Sequence, residues 1–192
     1  DVSEITVNVK AENPNYVTAT GSYTLEVNPA TITVTADAQA KTYGDADPEL
    51  TYTNGNGVNN EVPSFTGELK RVAGENVGAY EIQQNTVELA DNEESGFKAG
   101  NYVIEYTPND LTISANGTLT VAGTGYDGTY DGESHGEAAT TNVTEGTTIS
   151  YSTDGGENWS TEVPKVTDVS EITVNVKAEN PNYVTATGSY TL

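Results

Sequence analysis

DVSEITVNVKAENPNYVTATGSYTL, residues Asp1–Leu25, recurs letter for letter as Asp168–Leu192. Identity over such a length marks a tandem duplication, and the interval from Asp1 to Asp168 sets a period of 167 residues. The period predicts one full repeat plus an overlap, a slice of a longer array whose ends fall inside a repeat. The same stretch decides the fold class. In Ile5-Thr6-Val7-Asn8-Val9 apolar and polar side chains alternate, the period-two pattern of a strand with one apolar and one polar face. Thr31-Ile32-Thr33-Val34-Thr35 and Leu119-Thr120-Val121 carry the same pattern. Thr, Val, Ile and Tyr suit a pleated surface. Gly, Asn, Asp and Pro punctuate the runs, as in Asn54-Gly55-Asn56-Gly57 and Asp154-Gly155-Gly156. No helical stripe interrupts them. Many short strands between frequent turns predict an all-β chain of tandem Ig-like sandwich modules. A β-grasp-like arrangement is the alternative for the first module, although no helix is evident to fill the grasp.

Composition narrows the function. Seven Lys plus Arg face 29 Asp plus Glu, a net charge of −22. So acidic a chain lacks the cationic footprint of nucleic-acid binding, and an anionic membrane surface repels it. The charge favours solubility, cation binding or a salty habitat. Cysteine is absent, which excludes disulfides, thiolate metal sites and cysteine nucleophiles. No apolar run is long enough to span a bilayer.

Two module types share one period. Residues 1–29 read as the closing strands of a preceding B module, residues 30–114 as module A, and residues 115–192 as a nearly complete module B. Each complete module has about 80 residues, enough to fold alone with a limited core. Both open on a Tyr turn, Tyr43-Gly44-Asp45 and Tyr130-Asp131-Gly132, and both close on Asn-Tyr-Val, at Asn101-Tyr102-Val103 and Asn182-Tyr183-Val184. The short junctions predict a stiff array.

The stretch Lys41-Thr42-Tyr43-Gly44-Asp45-Ala46-Asp47-Pro48, followed by Phe65-Thr66-Gly67, Ala73–Tyr80 and Asn101-Tyr102-Val103, resembles the MBG domain (YGX type) of bacterial surface adhesins over about Thr31–Ser114. The acidic insertion Glu88–Lys98 departs from that pattern. Module B is similar to the Ig-like bacterial repeats that accompany such domains. The resemblance implies an extracellular protein, at the cell surface or attached to the cell wall, whose repeats form a stalk. It carries no catalytic residues.

Candidate sites stand beside plainer readings. Ser152-Thr153-Asp154-Gly155-Gly156-Glu157-Asn158-Trp159 fits the Asp-box pattern S-x-D-x-G-x-x-W. Asp154, Gly156 and Trp159 are expected to hold a hairpin. Asp boxes also occur in sialidases, but those enzymes clamp a carboxylate with several arginines and this chain has only Arg71. Asp45 and Asp47, and Asp127 and Asp131 near Glu133, are candidate Ca²⁺ ligands; the other reading is turn chemistry, with Pro48 closing the first turn. Asp91-Asn92-Glu93-Glu94 reads as a solvated loop. His135, the single histidine, lies in a polar turn with no evident triad partners. Tyr126, Tyr130, Tyr151 and Trp159 are candidate glycan-stacking residues, or else fillers of a small β core. Lys10, Lys41 and Lys177 are scarce strand lysines, suited either to an isopeptide bond or to guarding an edge strand.

These observations predict a non-enzymatic stalk or spacer repeat whose partners are the neighbouring repeats. The alternatives are a glycan- or mucin-binding adhesive module and a strand-exchanging filament subunit. Apart from Ca²⁺, no cofactor is implied.

Overall fold

The computed structural model describes residues 2–192. The chain is all-β: 48% of it is strand, and among the described residues the helical content is two short 3-10 segments, Val58–Asn60 and Ala99–Asn101. It forms two compact units. One comprises the chain up to Gln39, Glu49–Ala73 and Tyr80–Leu111; the other comprises Ala40–Pro48, Gly74–Ala79 and Thr112–Leu192.

The first unit opens with a long hairpin of β1 (Ser3–Asn13) and β2 (Tyr16–Val27). Its turn, Asn13-Pro14-Asn15-Tyr16, closes for a local reason. Proline pre-sets the backbone dihedral at the second turn position, and the Asn13 side-chain oxygen accepts the Asn15 amide at 2.9 Å. The register pairs Ile5 with Leu25, Val7 with Tyr23, Val9 with Gly21 and Ala11 with Ala19. Directly paired residues share a face, so one face is apolar and the other carries Thr6, Asn8 and Lys10. Both faces are open. Ile5, Val9, Tyr23 and Leu25 are exposed, each close to half, and Val7 is half-buried.

In the segment that follows, β3 (Ala30–Ala36) runs parallel to β10 (Tyr102–Thr107), from Ala30 opposite Tyr102 to Thr35 opposite Thr107. On its other side β3 pairs antiparallel with β5 (Tyr52–Asn54). The alternation in β3 does what period two requires: Ile32, Val34 and Ala36 are buried, Thr31 and Thr33 exposed. Phe97 stacks on Tyr102, ring centres 4.6 Å apart, within the core of Ile32 and Val34. The Tyr102 hydroxyl donates to Glu61 at 2.8 Å and accepts the Val58 amide at 2.9 Å. A four-stranded sheet has the order β4 (Gln39–Thr42), β11 (Asn109–Ser114), β8 (Gly78–Gln83), β7 (Lys70–Arg71), and β6 (Ser64–Thr66) pairs with β9 (Glu88–Ala90).

The acidic insertion is built rather than loose. The Asp91 carboxylate receives Lys98 Nζ at 3.1 Å and the Ala99 amide at 2.9 Å, and Lys98 reaches Glu93 at 2.7 Å. Those bonds hold the Asp91 carboxyl below the usual range, the Ala99 amide contributing most and Lys98 next. The clamp presents Phe97 to the core, where it is fully buried. Asp91, Glu93 and Glu94 stay exposed.

In the second unit β12 (Val121–Ala122) pairs with β13 (Thr140–Thr141), and a three-stranded antiparallel sheet has the order β14 (Thr148–Ser152), β15 (Thr173–Glu179), β16 (Ala186–Thr191). Here the duplicated sequence appears again in the same register: Val174 pairs with Tyr190, Val176 with Gly188, Ala178 with Ala186. The turn is also the same, with the Asn180 side-chain oxygen accepting the Asn182 amide at 3.0 Å. The apolar face is now covered. Val174, Val176 and Ala178 are fully buried; Tyr190 and Leu192 nearly so, packed with Ala139 and Tyr151. Gly123 admits the Tyr190 ring, which a Cβ at that position would overlap.

Candidate functional site

The Asp-box stretch forms a closed polar turn after β14. Ser152 Oγ donates to Asp154 Oδ1 at 2.7 Å and accepts the Gly156 amide at 2.9 Å. The Asp154 carboxylate also accepts the amides of Glu157 (3.1 Å) and Asn158 (3.0 Å) and the Asn158 side chain (2.7 Å). This many donors hold its carboxyl far below the usual carboxylate range, the Ser152 hydroxyl contributing most. Gly155 and Gly156 sit at φ of 80° and 97°, where a Cβ is strained. Trp159 Nε1 donates to the Gly156 carbonyl at 3.0 Å, and the Lys177 ammonium lies over the Trp159 ring, 4.7 Å from its centre. The Ser152 hydroxyl, the Asp154 carboxylate and Trp159 Nε1 are all engaged within the turn itself.

Beside it in sequence, an open cleft of about 680 Å³ is lined by Tyr126, Asp127, Tyr130, Asp131, His135 and residues 166–171 among others. The Tyr126 and His135 rings stack 3.8 Å apart, nearly parallel. His135 Nε2 meets the Asp131 carboxylate at 3.0 Å, and this contact, followed by the Glu133 amide, lowers the Asp131 carboxyl. Of the four aromatic residues singled out for sugar stacking, Tyr126 and Tyr130 line this cleft. Trp159 is absent from its lining. Tyr151 requires a correction. It is buried, and its hydroxyl accepts the Ala139 amide at 2.9 Å, so it offers no face to a ligand: its place opposite the buried Val176 puts it on the covered face of the sheet. Among the described residues, no group of three or more Asp, Glu or His side chains is placed to hold a metal ion.

The Tyr43-Gly44-Asp45 turn follows β4. Asp45 Oδ2 accepts the Thr42 amide at 3.3 Å, and Gly44 takes φ of 92°. The Lys41 side chain is only 4% exposed. Its ammonium meets Asp47 and Glu75, each at 2.7 Å, and donates to the Asp45 carbonyl at 3.1 Å. Asp47 and Glu75 raise the Lys41 pKa, so the amine stays protonated. A protonated amine is no nucleophile, and the lysine serves as the cationic hub that draws the turn together. Tyr43 packs edge-on against Tyr183, ring centres 5.5 Å apart, and its carbonyl accepts Asn116 Nδ2 at 3.0 Å.

Residues 32–112 match the family model of the MBG domain (YGX type). Domains of this family occur in surface proteins. No curated protein matches the chain. The matched segment runs from within β3 to within β11 and includes the Tyr43-Gly44-Asp45 turn. The Asp box and the cleft lie outside it in sequence. Within the matched segment, sequence reasoning missed the Lys98 clamp and the Glu61–Tyr102 bond. The one visible signal for the clamp was a lysine after four acids in the insertion. Outside it, Lys10 and Lys177 occupy equivalent positions and pair with the equivalent acids Glu12 and Glu179.

Proposed function

We propose that this chain is a non-enzymatic structural repeat of an extracellular, surface-attached protein, one that spans distance as part of a tandem stalk. The observation that carries the reading is the exact return of residues 1–25 at 168–192 around an MBG domain. A repeat that builds length needs self-contained cores and rigid turns, as in other quasi-linear arrays. The polar groups of the Asp box and of the Lys41 hub satisfy one another, which suits a structural role. The test is small-angle scattering on chains of one, two and three periods. A maximum dimension that grows by a constant increment per period supports the stalk. Growth only as fast as a compact globule rules it out.

A second reading, an adhesive module for glycans or mucin, is favoured by the cleft, where Tyr126, Tyr130 and His135 meet acidic side chains. Titration against mucin and a glycan panel, with calcium and with chelator, separates the two. Saturable, sugar-competed binding that Tyr126→Ala and Tyr130→Ala abolish without unfolding assigns adhesion to the cleft; its absence leaves the stalk alone.

A further inference from the structure

The Asn180-Pro181-Asn182 turn that joins β15 to β16 does not end in solvent. The Asn182 side chain donates through Nδ2 to Asn76 Oδ1 at 3.0 Å and accepts the Val77 amide on Oδ1 at 2.9 Å. The Asn182 carbonyl accepts the Asn116 amide at 3.0 Å, and the Asn116 carbonyl accepts the Val184 amide at 2.9 Å, so Asn116 runs beside Tyr183 as a parallel bridge. Asn116 Nδ2 donates to the Tyr43 carbonyl at 3.0 Å, and the Tyr43 amide donates to the Ser114 carbonyl at 2.9 Å. The Tyr43 ring meets Tyr183 edge-on. All of these residues belong to the second compact unit, to which the matched segment contributes two loops, Ala40–Pro48 and Gly74–Ala79. Lys41 ties those loops together, bonded to Asp45 and Asp47 in one and to Glu75 in the other. The short junction Ser114-Ala115-Asn116-Gly117 is thus bonded both to the Tyr43 turn and to the hairpin tip.

We propose that the Tyr43 turn, the Asn76-Val77 loop and Asn116 form a socket for an Asn-Pro-Asn-Tyr hairpin tip, and that the Asn182 carboxamide selects what the socket accepts. Asn76 offers an acceptor and Val77 a donor to one short planar head, and a carboxamide carries the matching donor and acceptor side by side. Leucine has the shape of asparagine and neither function. Tyr183 adds an edge-to-face contact that fixes the tip against Tyr43. The Tyr-Gly turn of the matched segment is then an interaction surface whose partner is a module B hairpin, and the junction between them is a locked joint rather than a hinge. The socket goes beyond the stalk reading and does not depend on it.

Amide hydrogen exchange in the full chain tests the socket. Asn182→Leu should speed exchange of the Val77 amide by about fivefold or more. Asn116 and Val184 should follow as the tip leaves, while the amides of β15 keep their wild-type rates and report that the sheet still folds. Asn15→Leu, the same change in the β1–β2 turn, should leave the Val77 rate unchanged. A charge cycle provides the second arm. Asn76→Asp alone keeps an acceptor facing Asn182 Nδ2 and should retain the protection; combined with Asn182→Asp it sets two carboxylates face to face and should lose it. The proposal is overturned if Val77 exchanges equally in the wild type and in Asn182→Leu, or if the double variant is as protected as Asn76→Asp. The scattering series judges the stalk separately: a constant increment with no change at Val77 keeps the stalk and removes the socket, and the reverse keeps the socket and removes the stalk.

Discussion

Strands β1–β2 and β15–β16 are one sequence in two environments. Both make the same cross-strand pairs, the same Asn-Pro-Asn turn and the same Lys–Glu ion pair. They differ in what lies against the apolar face. Val176 is fully buried while Val9 is 47% exposed, and Tyr190 is 8% exposed while Tyr23 is 52% exposed. Turn chemistry and side-chain alternation act over a few residues, so they reproduce wherever the sequence occurs. Burial of β15–β16 depends on residues between 115 and 167 that pack against it. Covering a Val or Leu side chain fully is worth about 1.5–3 kcal/mol, so the difference between the copies is energetic rather than geometric.

Matched substitutions test that contrast. The largest effect is expected from a charge on the apolar face. Val176→Asp should cost roughly 3–5 kcal/mol in the denaturant-induced unfolding of the second unit, because an unpaired carboxylate enters a dry core. Val9→Asp, the same change in the open copy, should stay within about 0.5 kcal/mol. Equal costs would mean that the hairpin is covered too. Next comes Gly123→Ala, which displaces the Tyr190 ring and should cost about 1–3 kcal/mol by overpacking; near-UV circular dichroism would report the moved tyrosine.

Acid provides a third, smaller distinction. The Asp154 carboxyl is lowered in the fold, so its stabilisation is fully present above the unfolded value near 3.8 and is lost as the pH falls through the lower folded value. Unfolding followed from pH 6 to pH 2 should show the second unit losing stability on the acid side. Asp154→Asn should flatten that limb, whereas β1–β2 has no such turn to lose. The smallest effect concerns the lysines. Lys177→Ala removes a cation over Trp159 and should cost about 0.5–1 kcal/mol; Lys10→Ala should cost less than half of that in the same thermal melt.

How far the sequence could be read follows from the same distinction between local and distant causes. Of Leu119–Val121 only Val121 lies in a strand, whereas the strand character of Ile5–Val9 and Thr31–Thr35 was legible from alternation. Three features were not. The parallel pairing of β3 with β10 joins residues about 70 positions apart, and no local pattern encodes such a partner. Phe97 sits in an acidic insertion that reads as solvated, yet the Asp91–Lys98 clamp turns it into the core. Tyr151 and Tyr130 both lie near turns, and only strand register sends the first inward and leaves the second exposed.

The most direct test of the account is amide hydrogen exchange of the full chain, comparing Thr6–Ala11 with Thr173–Ala178. The two stretches are identical, so their intrinsic exchange rates are the same and any difference is structural. The account predicts protection in Thr173–Ala178 greater by about a hundredfold or more. Equal protection in the two copies would contradict it.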